Sequence, residues 1–215
     1  MSNPINHFPC HVCLDGEAVE IPAFSTFKRV TSDCKPWPDG GTLGVCQACA
    51  SVVKRIDPTW QSETDAIYQA YDIFHQADGH EQLVYSADQG AARFRSDPLV
   101  EKLSDLIGPA QTGSLLDVGC GKGAFLRAWA QAFPLWDLEG SDLGDSTAEA
   151  VRSIPGVRAM HTKGFEGIES TFDVVSMVHV LEHIVDPAAF LLEATDRLQA
   201  NGKLFVEVPL FAERA

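Results

Sequence analysis

A doubly wound α/β domain preceded by a small cysteine-bearing module is what the sequence predicts, and three observations carry that expectation. From Ser114 onward, short apolar runs alternate with stretches of helical pattern, as in a parallel sheet wrapped by helices. One of these runs passes straight into a glycine-rich loop, LLDVGCGKGAF. Ahead of all this, two Cys-x-x-Cys pairs stand in a turn-dense region that lacks any sustained helical period.

The elements follow in chain order. Residues 1–57, with TSDCKPWPDGGTLG at their centre, read as a zinc-binding module. Residues 58–112 read as a helical connector or lid: Ile67, Tyr71 and Phe74 fall at helix-face spacing, as do Leu99, Leu103, Leu106 and Ile107 after Pro98. Asp97 before Pro98 reads as an N-cap, and Gly108-Pro109 as a stop. Residues 113–215 hold the α/β domain, with strands expected at 115–118, 136–141, 157–161, 172–178 and 203–208. Helices are expected at 124–133, 147–154 and 187–199, the last opened by Asp186 and Pro187.

The bulk numbers narrow the function classes. The chain has 215 residues, and its 45% hydrophobic content supports a packed core. A formal net charge of -14 repels phosphate polymers, which disfavours nucleic acid as a partner. The opening MSNPINHFPCHVC has no basic-then-apolar leader pattern, and no apolar run long enough to span a bilayer follows, so a cytoplasmic protein with no membrane partner is expected.

The glycine loop is the strongest local signal. Glycines let the backbone turn sharply and approach a ligand closely, and the helix that follows offers unpaired N–H groups suited to a carboxylate or phosphate. The Gly119-x-Gly121-x-Gly123 spacing, with Asp117 two residues before its first glycine, differs from the dinucleotide pattern G-x-G-x-x-G. The next strand ends in Gly140-Ser141-Asp142, where an acid is able to accept both hydroxyls of a ribose. Together these suit an adenosyl ligand.

These motifs resemble the class I S-adenosylmethionine-dependent methyltransferases. DVGCGKG matches the first motif of that family, Asp142 its ribose-binding acid, and FDVVSMVHVLEHIVDP its fourth strand and LEH segment, over roughly residues 114–209. The resemblance implies a Rossmann-like methyltransferase sheet and S-adenosylmethionine as cofactor, contacted by Asp117, Gly119, Cys120, Gly121, Gly123, Asp142, Leu143, Gly164, Phe165 and His179. Where the family often carries an adenine-binding acid after its third strand, this chain reads His161-Thr162-Lys163-Gly164-Phe165, and lysine cannot accept that hydrogen bond. Backbone groups at Gly164 and Phe165 are the expected substitutes; the Phe165 ring stands either against adenine or in the core. Cys120 reads as an inert small residue.

Cys10-x-x-Cys13 and Cys46-x-x-Cys49 form two knuckles, each able to present two thiolates to one tetrahedral ion. The 32 residues between them exceed the roughly 15–20 of a compact zinc ribbon. Four thiolates leave no open position for water, so a structural Zn2+ is expected, with Cys34 spare and redox pairing the alternative. A four-cysteine module ahead of this fold is similar to the zinc-containing sugar C-methyltransferases, which implies a nucleotide-linked sugar or polysaccharide precursor as methyl acceptor.

Methyl transfer asks a protein to align the acceptor, exclude water and remove a proton. His179, Glu182 and His183 leave the C-terminal end of the fourth strand, the edge at which open α/β sheets bind ligands. His179 is the first candidate base, and His183 and Tyr71 are further catalytic candidates, the tyrosine on the connector with Tyr68, His75 and Tyr85. After the fifth strand similar methyltransferases continue with a helix and an antiparallel strand pair that are not found here, so the sheet is expected to be C-terminally incomplete, with an apolar edge that invites homo-oligomers. Two rival readings remain: an RNA methyltransferase gripping its substrate through the zinc module, and a non-catalytic adaptor with a vestigial cofactor fold.

Overall fold

The computed structural model describes residues 6–31, 35–69, 81, 83–85, 92–108 and 112–209. The chain forms two compact units, Met1–Phe74 with Val185–Ala188, and His75–Ile184 with Ala189–Ala215. Among the described residues no helix is long and apolar enough to cross a membrane.

In the first unit, β1 (His7–Pro9), β2 (Glu17–Glu20), β5 (Leu43–Cys46) and β6 (Val52–Lys54) pair antiparallel in the order β1-β2-β5-β6. The register sets Phe8 opposite Ala18 and Ala18 opposite Cys46, which places all three on one face. With Cys10 and Val53 they form this unit's buried cluster. The short strands β3 (Arg29–Val30) and β4 (Pro36–Trp37) make a separate pair. Helix α1 (Pro58–Gln69) starts where the sequence signals it: Pro58 takes the first position, and Asp57 Oδ1 accepts a hydrogen bond from the Trp60 amide at 2.9 Å. Glu63 on α1 accepts both terminal nitrogens of Arg29, each at 3.0 Å. This two-bond fork fixes the helix to the β3–β4 region.

In the second unit, β7 (Leu83–Tyr85) and β8 (Ala92–Phe94) form an antiparallel pair inside the stretch expected to be helical. Helix α2 (Ser96–Ile107) follows. Its start corrects the expected Asp97 cap: Asp97 lies inside the first turn and accepts from the Phe94 amide, while Glu81 accepts from the Ser96 amide and hydroxyl at 3.0 and 2.9 Å. A distant carboxylate thus does the work expected of the local one. At the other end Gly108 terminates α2 with a φ of 77°.

The five-stranded sheet comprises β9 (Ser114–Val118), β10 (Asp137–Ser141), β11 (Val157–His161), β12 (Phe172–Val178) and β13 (Leu198–Glu207), with helices α3 (Ala124–Ala132), α4 (Ala148–Arg152) and α5 (Pro187–Thr195) between them. All neighbours are parallel in the order β11-β10-β9-β12-β13. The expected strands are therefore present; α5 ends earlier than expected because β13 begins at Leu198, with a register irregularity and a left-handed Asn201 before its regular part. Side chains of β9 alternate between two cores, Leu115 joining one cluster and Leu116 and Val118 the other. Burial on both faces explains why its sequence reads as a continuous apolar run.

Trp129 on α3 is fully buried against Phe125, Phe133 and Trp136, and among the described residues its Nε1 has no hydrogen-bond partner. Trp129→Ala is expected to lower unfolding free energy by about 3–5 kcal/mol. Trp129→Phe should cost less than half as much, because it keeps most ring contacts and removes the unpaired donor. Urea unfolding followed by circular dichroism measures both.

Candidate active site and metal centre

The chain order reverses between β9 and β12: β9 leads through α3 to β10 on one side, and β12 leads through α5 to β13 on the other. Open parallel sheets leave a crevice at such a point, at the carboxyl ends of the strands. The glycine loop leaves β9 there. Gly119 and Gly123 hold φ of 68° and 78°, and a Cβ on them would stand 2.4 Å from Val180 Cγ2 and from Ile154 Cδ1 respectively. Both the backbone conformation and the close packing require glycine.

Asp142, at the end of β10, faces this loop. Its Oδ2 accepts from the Gly121 amide at 2.6 Å and its Oδ1 from the Leu143 amide at 2.7 Å. The Cys120 amide donates to Ser141 O and the Gly123 amide to Cys120 O. Three of the loop's N–H groups are thus engaged within the protein. The group presented beside the loop is a carboxylate, an acceptor for hydroxyls or an ammonium.

The segment after β11 runs alongside Asp142. Gly144 donates to Thr162 O, Gly164 donates to Asp142 O at 3.3 Å, and Ser141 Oγ donates to Gly164 O at 2.6 Å. Leu143 and Lys163 form a bridge, with the Leu143 side chain exposed. Of the two places open to the Phe165 ring, the core is the one it occupies: it is buried, 5.0 Å from the Phe190 ring. Lys163 turns to Glu166 at 3.3 Å. Cys120 is buried against Met160, and burial with the charges of Asp117 and Asp142 pushes its thiol far above the ordinary range, so it is no nucleophile.

Asp117 lies beneath the loop and is fully buried, with Oδ1 accepting from Ser176 Oγ at 2.7 Å. Burial pushes its carboxyl up to about 7, the Asp142 charge adds to this, and the Ser176 hydrogen bond opposes it.

His179 leaves β12 in the left-handed region, φ 57°, with its amide donating to Glu207 O at 2.9 Å. Its Nδ1 is 3.2 Å from Glu182 Oε1 and its Nε2 3.2 Å from Glu207 Oε1, and Arg95 Nη2 contacts the same Nε2. His183 has a half-exposed side chain 4.0 Å from Glu182 Oε1. Tyr71 and His75 lie outside the described residues, and Tyr68 is half exposed on α1. Sequence reasoning missed Arg95 and Glu207. An acid at the carboxyl end of the fifth strand was a usable signal for Glu207; nothing local marks Arg95.

In the first unit the sulfurs of Cys10, Cys13, Cys46 and Cys49 all lie within 4.8 Å of one another, and all four thiols are free. Cys10 and Cys49 sulfurs are 3.9 Å apart and those of Cys13 and Cys46 3.7 Å. A tetrahedral ion with metal–sulfur bonds of about 2.3 Å needs sulfurs roughly 3.8 Å apart, so the cluster fits zinc. Cys34 lies outside the described residues.

A family model described as a methyltransferase domain matches residues 91–214. The chain is similar to a mitochondrial ubiquinone biosynthesis O-methyltransferase of Candida albicans, 32% identical over 102 residues, covering 43% of this chain and 31% of that one. It is similar to the ubiquinone biosynthesis O-methyltransferase of Mesorhizobium japonicum, 27% identical with 58% and 50% covered, and to the tRNA U34 carboxymethyltransferase of Shewanella sp. (strain ANA-3), 33% identical with 53% and 37% covered. The chain spans half or less of these relatives' lengths. Among solved structures, coclaurine N-methyltransferase bound to N-methylheliamine and S-adenosylhomocysteine superposes with a TM-score of 0.53 at 16% identity, covering 71% of this chain and 52% of that one. This likeness concerns the fold.

The raised Asp117 means that the folded protein holds a proton which the unfolded chain releases above 3.8. Wild-type stability should therefore fall, relative to Asp117→Asn, as pH rises from 3.8 to about 7, with no further divergence above that. Urea midpoints of both proteins across this range measure it.

Proposed function

The chain belongs to the methyltransferase-domain family, and from that premise we propose that it moves a methyl group from S-adenosylmethionine to a small-molecule acceptor. The observation that supports this most directly is the Asp142 carboxylate, held 2.6 Å from the amide of Gly121 at the crevice where the strand order reverses. A carboxylate has about four lone-pair sites, so Asp142 is able to keep both amide contacts and accept the two ribose hydroxyls as well.

The remaining roles belong to the same reading. Gly119, Gly121 and Gly123 allow close approach to the methionine portion, and Asp117 beneath them supplies negative charge toward its cationic groups when ionised. Leu143 covers the adenosine, and backbone at Gly164 and Phe165 meets adenine in place of an acidic side chain. S-adenosylmethionine, when bound, supplies a methyl group made electrophilic by its sulfonium. His179 accepts the proton that the acceptor loses, Glu182 orients the ring, and His183 lies on the acceptor side.

In this reading Cys10, Cys13, Cys46 and Cys49 hold a structural zinc, whose closed four-thiolate shell leaves it no part in the chemistry. The finer acceptor class we favour is a nucleotide-linked sugar or polysaccharide precursor, on the resemblance of this module to that of sugar C-methyltransferases. The net charge of -14 weighs against RNA.

Isothermal calorimetry with S-adenosylhomocysteine tests the core of the proposal. Binding by the wild type and at least about tenfold weaker binding by Asp142→Ala are expected, since two hydrogen bonds to a charged group are lost. Absence of wild-type binding would refute it. Elemental analysis should find zinc in the wild type and none in Cys46→Ser, with a lower melting temperature for the variant, because Cys46 is also part of the buried cluster.

A further inference from the structure

We infer that Gly16 is a positioning residue of the metal centre: the absence of a side chain there is what lets the sulfurs of Cys13 and Cys46 close on one ion. This rests on the reading of the four cysteines as zinc ligands.

Gly16 stands where the two knuckles meet, directly ahead of β2. Its carbonyl accepts from the Cys10 amide at 2.8 Å, and the carbonyl of its neighbour Glu17 accepts from the Gln47 amide at 2.9 Å. One short stretch of backbone is thereby bonded to both Cys-x-x-Cys turns, and Ala18 continues it by pairing with Cys46. Gly16 cannot back away from the sulfurs without breaking these bonds.

The ligand atoms fill the space beside it. A Cβ on Gly16 would stand 2.6 Å from Cys46 Sγ, 2.9 Å from Ala48 Cβ and 3.1 Å from Cys13 Sγ. Non-bonded carbon atoms rest about 3.5–4.0 Å apart, and sulfur is larger than carbon. The two sulfurs concerned are 3.7 Å from each other, close to the spacing that a tetrahedral zinc shell needs. Unlike Gly119 and Gly123, Gly16 does not hold a positive φ. Its backbone therefore suits any residue, and only the missing side chain matters.

An added methyl group acts differently on the metal-free and the loaded protein. A free thiol is able to turn about χ1 to another staggered rotamer and move clear of it. A thiolate bonded to an ion in a closed four-sulfur shell has no such freedom. The Ala48 amide, donating to Cys46 Sγ at 3.4 Å, restrains that sulfur further. The Ala48 Cβ is fixed to the backbone, so its contact is the same in both states, and Ala48→Gly removes it. What is left in Gly16→Ala/Ala48→Gly is the clash with the sulfurs alone.

Competition of the full chain with a chromogenic zinc chelator measures affinity, and the absorption bands of the protein saturated with Co2+ report the geometry of the shell. Gly16→Ala/Ala48→Gly should bind zinc at least about tenfold more weakly than Ala48→Gly, the cost usual for disturbing the groups that hold metal ligands in place. Its saturated Co2+ bands should be displaced from those of Ala48→Gly. Gly44→Ala is the control for general damage to the module, because a Cβ at Gly44 would meet Phe8 and the Val19 carbonyl but no sulfur. Its saturated Co2+ bands should coincide with those of the wild type. Zinc affinity equal to that of Ala48→Gly, or undisplaced Co2+ bands, in Gly16→Ala/Ala48→Gly overturns the role of Gly16 alone. A wild-type chain that takes up neither zinc nor Co2+ refutes the zinc reading itself.

Discussion

One hydrogen bond organises the crevice: the Gly121 amide donating to the Asp142 carboxylate. It ties the loop after β9 to the end of β10, and the backbone contact from Gly164 to Asp142 carries the connection onward to the segment after β11. Three strand ends are thereby fixed around one carboxylate. Because that carboxylate accepts from amides and retains free lone pairs, it both builds the loop and remains able to meet a ligand.

Beneath this surface a second carboxylate lies where water does not reach. Asp117 shares its strand with Leu115 and Leu116, and its companion is a serine on the adjacent strand rather than a cation. Keeping a carboxyl fully buried is unfavourable unless it takes up a proton or gains a positive neighbour.

The cysteine module follows a different logic. Among the described residues its buried cluster comprises Phe8, Cys10, Ala18, Cys46 and Val53, and two of these five are prospective metal ligands. A core of that size does not fix a unit by apolar burial alone, and a metal ion whose binding energy adds to folding is the usual remedy. The Arg29–Glu63 fork supplies further restraint by holding α1 against the same unit.

The sequence by itself determined the strand-and-helix alternation, the glycine loop, the acid at the end of the second strand and the four-cysteine set. Each depends on local rules: side-chain period, left-handed turns that only glycine tolerates, and ligand spacing. The tertiary structure decided what depends on distant groups. It engaged three of the loop amides internally, placed the Phe165 ring in the core, gave the cap of α2 to Glu81 instead of Asp97, and set Arg95 and Glu207 around His179. Those pairings join residues as much as 112 positions apart, as Arg95 and Glu207 are. No local pattern encodes them, because hydrogen-bond partners are chosen by proximity in the folded chain.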